Sequence, residues 1–228
     1  MSEAFISLML QSPMQSWGFD SQYNRRSTGM MPTKSAIIGM CCAAAGADRG
    51  SELEREIIDE FAKVHMTSLV IPRLIKGKDV CVRRLVDYHI VQDTRKANGK
   101  IKDSHITNRE YLTDSGFGVV LCGDICFLKK LEGWLKDPVW GIWLGRKACI
   151  PSSPVFQGVF DSKGDALKKL IGNSTLESFT RQEDVEKFSD GKDSISDQPV
   201  SFDSSNRKFV PRRVNTIQGT RSLPVQDS

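Results

Sequence analysis

Two stretches of this chain combine cations, hydroxyls and glycines at spacings that suit recognition of phosphates and exposed bases. Leu10–Gly46 reads LQSPMQSWGFDSQYNRRSTGMMPTKSAIIGMCCAAAG, and Trp143–Pro154 reads WLGRKACIPSSP. From Gln11 to Gly46 the only carboxylate is Asp20, against Arg25, Arg26 and Lys34. Such a surface fits a polyanion better than a small neutral substrate.

Within the first stretch, Lys34–Ser35 stands at a predicted helix start and forms half of a phosphate loop. That motif demands glycine immediately before the lysine and another five positions earlier. Thr33 and Thr28 occupy those places, which removes nucleotide hydrolysis. What survives is a helix N-terminus with free N–H groups beside Lys34, Thr33 and Ser35, a seat for a phosphate. A threonine-capped helix with a solvated lysine fits the composition equally well. Trp17, between Ser16 and Gly18, has two readings: a stacking surface for a nucleobase, or a loop anchor in the core. Arg25 and Arg26 read as phosphate contacts or as a solvated pair.

In the second stretch, Gly145–Arg146–Lys147 follows a tryptophan-rich segment read as a strand, Trp140–Leu144. Glycine at a strand end permits close approach of a ligand. This loop and the Lys34 helix start are expected to converge on one patch.

Catalysis finds less support. A metal-independent ribonuclease needs a general base, a general acid and a cation for the phosphorane. Of the histidines His65, His89 and His105, only Tyr88–His89 with a nearby Lys or Arg offers this, and a strand histidine paired to a neighbour is the plainer reading. No carboxylate cluster suggests a two-metal nuclease, and neither a metal nor a cofactor is expected. The six cysteines contain no CxxC pair and no Cys–His metal spacing, and read as reduced, buried thiols of a cytoplasmic protein.

The bulk numbers bound the rest. A chain of 228 residues, 39% hydrophobic, has enough apolar material for a real core, and its net charge of +4 is only mildly basic. No apolar run reaches the ~18–20 residues that span a bilayer, and the start MSEAFISLML lacks a basic region typical of a signal peptide.

These residues must be positioned by elements that the pattern outlines. Phe5–Leu10 alternates as a strand, and Gln11–Met31 is a loop broken by Pro13, Gly18 and Gly29. Lys34–Ala45 reads as a helix between Thr33 as N-cap and Gly46 as its stop, and Glu52–Lys63 as an amphipathic second helix. His65–Ile71 and Val80–Gln92 read as strands. Asp93–Ile106 centres on Asn98–Gly99, a strong hairpin turn, giving a projecting finger with Arg95, Lys96, Lys100 and Lys102 at its tip. Phe117–Cys122 is a strand and Phe127–Lys136 a helix ending at Asp137–Pro138. Asn173–Asn206 is polar enough to read as a loop or peripheral insertion, and Arg207–Val214 as a short basic strand. The order describes an α+β chain, a split βαβ plan with helices covering one face of an antiparallel sheet.

LQSPMQSWG, RRSTGMMPTKSAIIGM and WLGRKACIPSSP, in that order, resemble the CasD family of CRISPR-associated proteins, in particular its type I-E Cascade members. The likeness runs from Leu8 to about Pro154 and takes in DYHIVQ (Asp87–Gln92) and TNREYLTD (Thr107–Asp114), which flank the finger. It implies a ferredoxin-like RNA-recognition (RAMP) fold with a protruding β-hairpin thumb: one domain over 1–228, the thumb at 92–108 and the polar insertion at 173–206. It implies a subunit that grips the 5′ handle of CRISPR RNA (crRNA), caps the backbone filament and docks the large subunit of Cascade, meeting target DNA only indirectly and no membrane. Ser12, Gln15, Ser16 and Trp17 would then line the handle's groove, Arg25, Arg26, Lys34 and Ser35 would hold phosphates, and Arg146 and Lys147 would flank them. Tyr88, His89 and Arg109 join the RNA-binding set on the finger's flanks, and Arg95–Lys102 would cross the RNA where handle meets spacer. A related branch cleaves precursor RNA with a tyrosine and an adjacent Lys–His pair. No Lys–His dipeptide occurs here, so the expected role is binding. The alternatives are a repeat-processing endoribonuclease and a generic RNA-binding module.

Overall fold

The computed structural model describes residues 2–18, 21, 24–75, 78–80, 82–95 and 98–220; at 73–75, 78–80 and 102 it describes the backbone. Strand β1 (Glu3–Gln11) places Ala4, Ile6, Leu8 and Leu10 on one face and Phe5, Ser7 and Met9 on the other. Short strands β2 (Met14–Gln15) and β3 (Arg25–Arg26) follow, then helices α1 (Lys34–Ala45) and α2 (Glu52–Phe61). Next come β4 (His65–Val70), the pair β5 (Arg73–Ile75) and β6 (Lys78–Val80), and the long strands β7 (Arg83–Arg95) and β8 (Ile101–Thr113). The order continues with β9 (Gly116–Asp124), α3 (Ile125–Lys136), β10 (Phe156–Phe160) and α4 (Lys163–Ile171). Strands β11 (Arg181–Asp184), β12 (Asp193–Ser201) and β13 (Lys208–Ile217) complete it.

Seven strands build one antiparallel sheet in the order β10-β1-β9-β4-β11-β13-β12. Helices α1, α2 and α3 cover one face, where Ile6, Leu8, Phe117, Val119 and Leu121 meet Ile37, Ile38, Ile57, Phe61 and Leu128. Helix α1 is bounded as its sequence predicts. The Thr33 hydroxyl accepts from Ala36 N, and Gly46 ends the helix at φ 70°.

The expectation of helices on a single face is corrected. Helix α4 packs on the opposite face, where Ala166, Leu167 and Leu170 close over Leu69, Val120 and Phe179, and Ser7 Oγ donates to Ala166 O at 2.6 Å. The physical reason lies in β1 and β9, which carry apolar side chains on both faces and so need a cover on each side.

Two other readings also change. Trp140–Leu144 is not a strand: Val139 N and Trp140 N donate to Ala44 O and Ala43 O, the orphan carbonyls at the end of α1, so this backbone caps a helix. The polar segment 173–206 is not peripheral, because β11 lies between β4 and β13 inside the sheet and β12 forms its edge. Two of its carboxylates are internally paired. Asp184 and Asp197 are buried against Arg212, whose Nε reaches Asp197 Oδ1 at 2.6 Å and whose Nη1 meets Asp184.

Strands β7 and β8 form the expected hairpin with register Arg83↔Thr113 to Arg95↔Ile101, so its pairing extends well below 92–108. Gly99 sits at φ 79° in the turn, where Lys100 N donates to Asn98 Oδ1 at 3.2 Å. The outer part of the hairpin is exposed, including Tyr88, Ile90 and Ile101. Cys41, Cys42 and Cys149 are buried as expected, whereas Cys126 is exposed on the first turn of α3. Cys81 lies outside the described residues. No helix among the described residues is long and apolar enough to cross a membrane.

Candidate nucleic-acid interface

The two acid-poor stretches meet. Ser16 N donates to Leu144 O at 3.1 Å, and the backbone of Gly145 runs so close that a Cβ there would lie 1.7 Å from Ser16 O. Gly145 also sits at φ 97°, so this junction needs glycine twice over, for conformation and for space.

Arg146 ties the junction together. Its guanidinium donates to Glu110 O at 3.0 Å and to Arg26 O at 2.8 Å, and lies 4.5 Å from the centroid of the Tyr111 ring. The Glu110 carboxylate in turn accepts from Thr28 N at 3.3 Å and pairs with Arg25 at 3.5 Å. Arg146 is therefore a strut that holds the Arg26 loop against β8.

On either side of this junction two adjoining grooves open, of about 580 and 850 Å³. They share Ser35 and Ala36 of α1 as floor, Gly145 as lip, and Phe202 and Arg207 as far wall. The smaller groove adds Arg26 and Phe209, and the larger adds Arg49, Trp143 and Lys147. Arg26, Arg49, Lys147 and Arg207 are exposed. Two acids also line the grooves, but both are engaged: Glu54 accepts from Gly50 N at 2.9 Å, and Asp197 is held by Arg212. The lining therefore offers cations beside aromatic rings, with Lys147 over Trp143 at 5.7 Å and Arg207 over Phe209 at 5.2 Å.

Several residues expected at this surface lie inside it. Lys34 is 4% exposed. Its Nζ donates to Val64 O at 2.7 Å and to Asp184 Oδ2 at 3.1 Å, and its own N–H donates to Asp197 Oδ2 at 2.7 Å. The phosphate seat at the start of α1 is thus already filled by a carboxylate of the protein. Burial lowers the Lys34 pKa and Asp184 opposes that shift. Trp17 is 1% exposed and meets Phe117 edge to face at 6.2 Å, so it is the loop anchor and offers no ring to a base.

Gln15 is likewise buried, its Nε2 donating to Leu10 O at 3.1 Å and Ser115 O at 2.8 Å. Buried Ser12 accepts from Met14 N, and the buried Ser16 hydroxyl donates to Glu110 O at 3.2 Å. These four residues shape the loop from within. Arg25, Arg26, Ser35 and Lys147 keep access to solvent.

On the hairpin, Arg26 and Arg109 are register partners between β3 and β8, which joins the hairpin's base to the groove wall. Arg109 Nε donates to Thr107 Oγ1 at 3.1 Å. Arg95 and Lys100 are exposed near the tip and line neither groove; Lys96 lies outside the described residues, and of Lys102 only the backbone is described. Tyr88 and His89 are neighbours on one strand and face opposite sides of it, so they do not form a dyad. His89 Nδ1 instead lies 3.5 Å from Asp87 Oδ2. Among the described residues no group of His, Cys, Asp and Glu could hold a metal ion.

Arg207, Phe202, Phe209 and Arg49 were not singled out from the sequence. The signal available was the basic–aromatic spacing of Arg207-Lys-Phe209, hidden behind a polar segment. Trp143 stood inside the expected strand.

Comparison with known proteins identifies the family. Residues 5–215 match the family described as CRISPR-associated protein (Cas_Cas5). The chain is 27% identical over 223 residues to the CRISPR system Cascade subunit CasD of Escherichia coli (strain K12), covering 95% of this chain and 96% of that one. A chain of a solved CRISPR RNA-guided surveillance complex superposes with a TM-score of 0.72 at 26% identity, covering 97% of this chain and 92% of that chain. A solved Cas protein superposes with a TM-score of 0.64 at 25% identity, covering 96% and 100%. With an acid-poor groove, an antiparallel α+β sheet and a sequence matched nearly end to end, the chain belongs to the Cas5 family of CRISPR-associated proteins.

Proposed function

We propose that this protein is a non-catalytic subunit of a type I CRISPR surveillance complex (Cascade) that holds the 5′ handle of crRNA in the paired grooves above α1. The observation that carries this reading is the pair of grooves, whose exposed Arg26, Lys147 and Arg207 stand among aromatic rings while of the two lining acids Glu54 is hydrogen-bonded to Gly50 N and Asp197 is paired with Arg212. Phosphates follow the cations, and unpaired bases face the rings. The β7–β8 hairpin is the thumb of a ferredoxin-like RAMP fold and lies across the RNA beyond the handle, its Arg95 and Lys100 meeting the backbone. The subunit caps the filament and docks the large subunit of the complex in the cytoplasm.

The divergence of Tyr88 and His89 supports binding over turnover. Incubation of the purified protein with labelled repeat RNA and with a shuffled RNA of equal length tests this. Preferential binding of the repeat with the RNA intact is expected. Equal binding of both RNAs overturns the handle reading, and cleavage abolished by His89→Ala overturns the non-enzymatic one.

A further inference from the structure

Among the described residues three arginines lie over aromatic rings, and they differ in what remains free. Arg146 lies over Tyr111, but its amines are bound to Glu110 O and Arg26 O. Arg213 lies 5.0 Å from the Phe188 ring centroid and its Nη2 is bonded to Gly191 O. Arg207 lies over Phe209, is exposed, and makes no hydrogen bond or ion pair to the described residues. Its guanidinium carbon lies 5.2 Å from the Phe209 ring centroid, and the residue lines both grooves.

The support beneath Arg207 is prebuilt. Phe202 and Phe209 meet edge to face at 6.1 Å, and Phe202 packs on the main core. Phe209 pairs with Pro199 in the β12–β13 ladder, so the ring is fixed by the sheet. The loop from 202 to 207 is closed by Asp203, whose Oδ1 accepts from Ser205 N at 2.9 Å and Ser205 Oγ at 2.8 Å and whose carbonyl accepts from Asn206 N at 3.2 Å. Little ordering remains to be done when a flat ligand arrives.

We infer that Arg207, backed by the Phe209 ring at the shared wall of the two grooves, is a stacking shelf for one unpaired nucleobase of the bound RNA. A planar guanidinium backed by an aromatic ring presents a flat, weakly hydrated cationic face, which a base covers well. Lys147 over Trp143 differs in kind, since an ammonium has no plane to stack on. The shelf takes over the stacking role that the buried Trp17 cannot fill. Arg207 thereby sets where along the groove a base must be splayed out, while Arg26 and Lys147 follow the phosphates on either side. This inference rests on the RNA-binding reading given above.

A cycle between base and side chain tests it. Handle RNAs carrying a single abasic site at each position in turn are titrated against wild type, Arg207→Lys, Arg207→Ala and Phe209→Leu, each matched for thermal unfolding. At one position the missing base is expected to weaken wild-type binding by about fivefold to a hundredfold. The same lesion should leave Arg207→Lys and Arg207→Ala almost unchanged, with Phe209→Leu between. Arg207→Lys should retain the wild-type salt dependence, since the charge is kept. Equal losses in wild type and Arg207→Lys at every position overturn the shelf and reduce Arg207 to a point charge. Absence of RNA binding by the wild type overturns the functional reading itself, and the shelf with it.

Discussion

Lys34 and Asp184 meet at 3.1 Å with their side chains 5% and 8% exposed, joining the first turn of α1 to β11 across 150 positions of sequence. Asp184 also accepts from Met66 N at 3.0 Å and pairs with Arg212, which reaches on to Asp197. Each charge in this set has an opposite partner, so the set is tolerated inside as long as it is whole.

Removing one member should therefore damage the fold and spare the RNA electrostatics. Lys34→Met is expected to destabilise the protein by ~3–5 kcal/mol, because it leaves buried carboxylates undercompensated. Chemical denaturation reads this loss. The slope of log affinity against log salt should be unchanged at temperatures where the variant is folded; a shallower slope would return Lys34 to the RNA surface.

Arg26 and Lys147 are the opposite case. Alanine at either position should leave the unfolding midpoint nearly in place and flatten the salt slope for single-stranded RNA by ~0.7 per lost phosphate contact. Arg146→Ala should do more than remove a charge, since it frees the loops that Arg146 ties to Glu110 O and Arg26 O. Its signature is lost stability together with weaker binding.

Gly145→Ala introduces a methyl 1.7 Å from Ser16 O at a residue with φ 97°. The junction must move, at a cost of ~1–3 kcal/mol for the strained backbone alone. Denaturation and handle affinity should fall together. Gly133→Ala, where nothing lies within 4 Å of the new atom, is the matched control and should leave both intact.

The thiols give a pH dependence with a definite sign. Burial pushes Cys42 up to about 12 from 9.0, and Cys122 also to about 12. Unfolded thiols lose protons from about pH 9 while these two keep theirs, so stability is fully present below that pH and falls as pH rises toward 12. Lys34, whose pKa burial lowers, works in the opposite sense. Denaturation midpoints from pH 8 to 10.5 should fall in wild type and fall less in Cys42→Ala. At pH 8 a thiol reagent should reach exposed Cys126 quickly, and reach Cys41, Cys42 and Cys149 only on unfolding.

Local chemistry was readable from the chain where the deciding partner lies a few residues away. Thr33 and Gly46 bound α1 through hydrogen bonds within one turn, and Asn98–Gly99 sets the hairpin through its own dihedrals. What escaped depends on distant partners. Asp184 and Asp197 look like loop residues until Arg212 and Lys34 are brought beside them, and of the two readings of Trp17 only the Phe117 contact selects the loop anchor. Arg207 was hidden for the same reason: only the β12–β13 ladder carries Phe209 and Phe202 to the mouth of a groove whose other wall is made 60 residues earlier, at Gly145 and Lys147.

Strand β11 is an interior strand of the sheet, between β4 and β13, although it is made late in the chain. A ribosome that has delivered everything through α4 has built the lips and floor of the groove, yet Lys34 still awaits Asp184 and the far wall does not exist. Synthesis order thus makes the closing strands a completeness check. An interrupted chain carries an uncompensated lysine and an open sheet edge after β4, marks of a substrate for proteases. Only a finished chain presents both walls of the paired grooves.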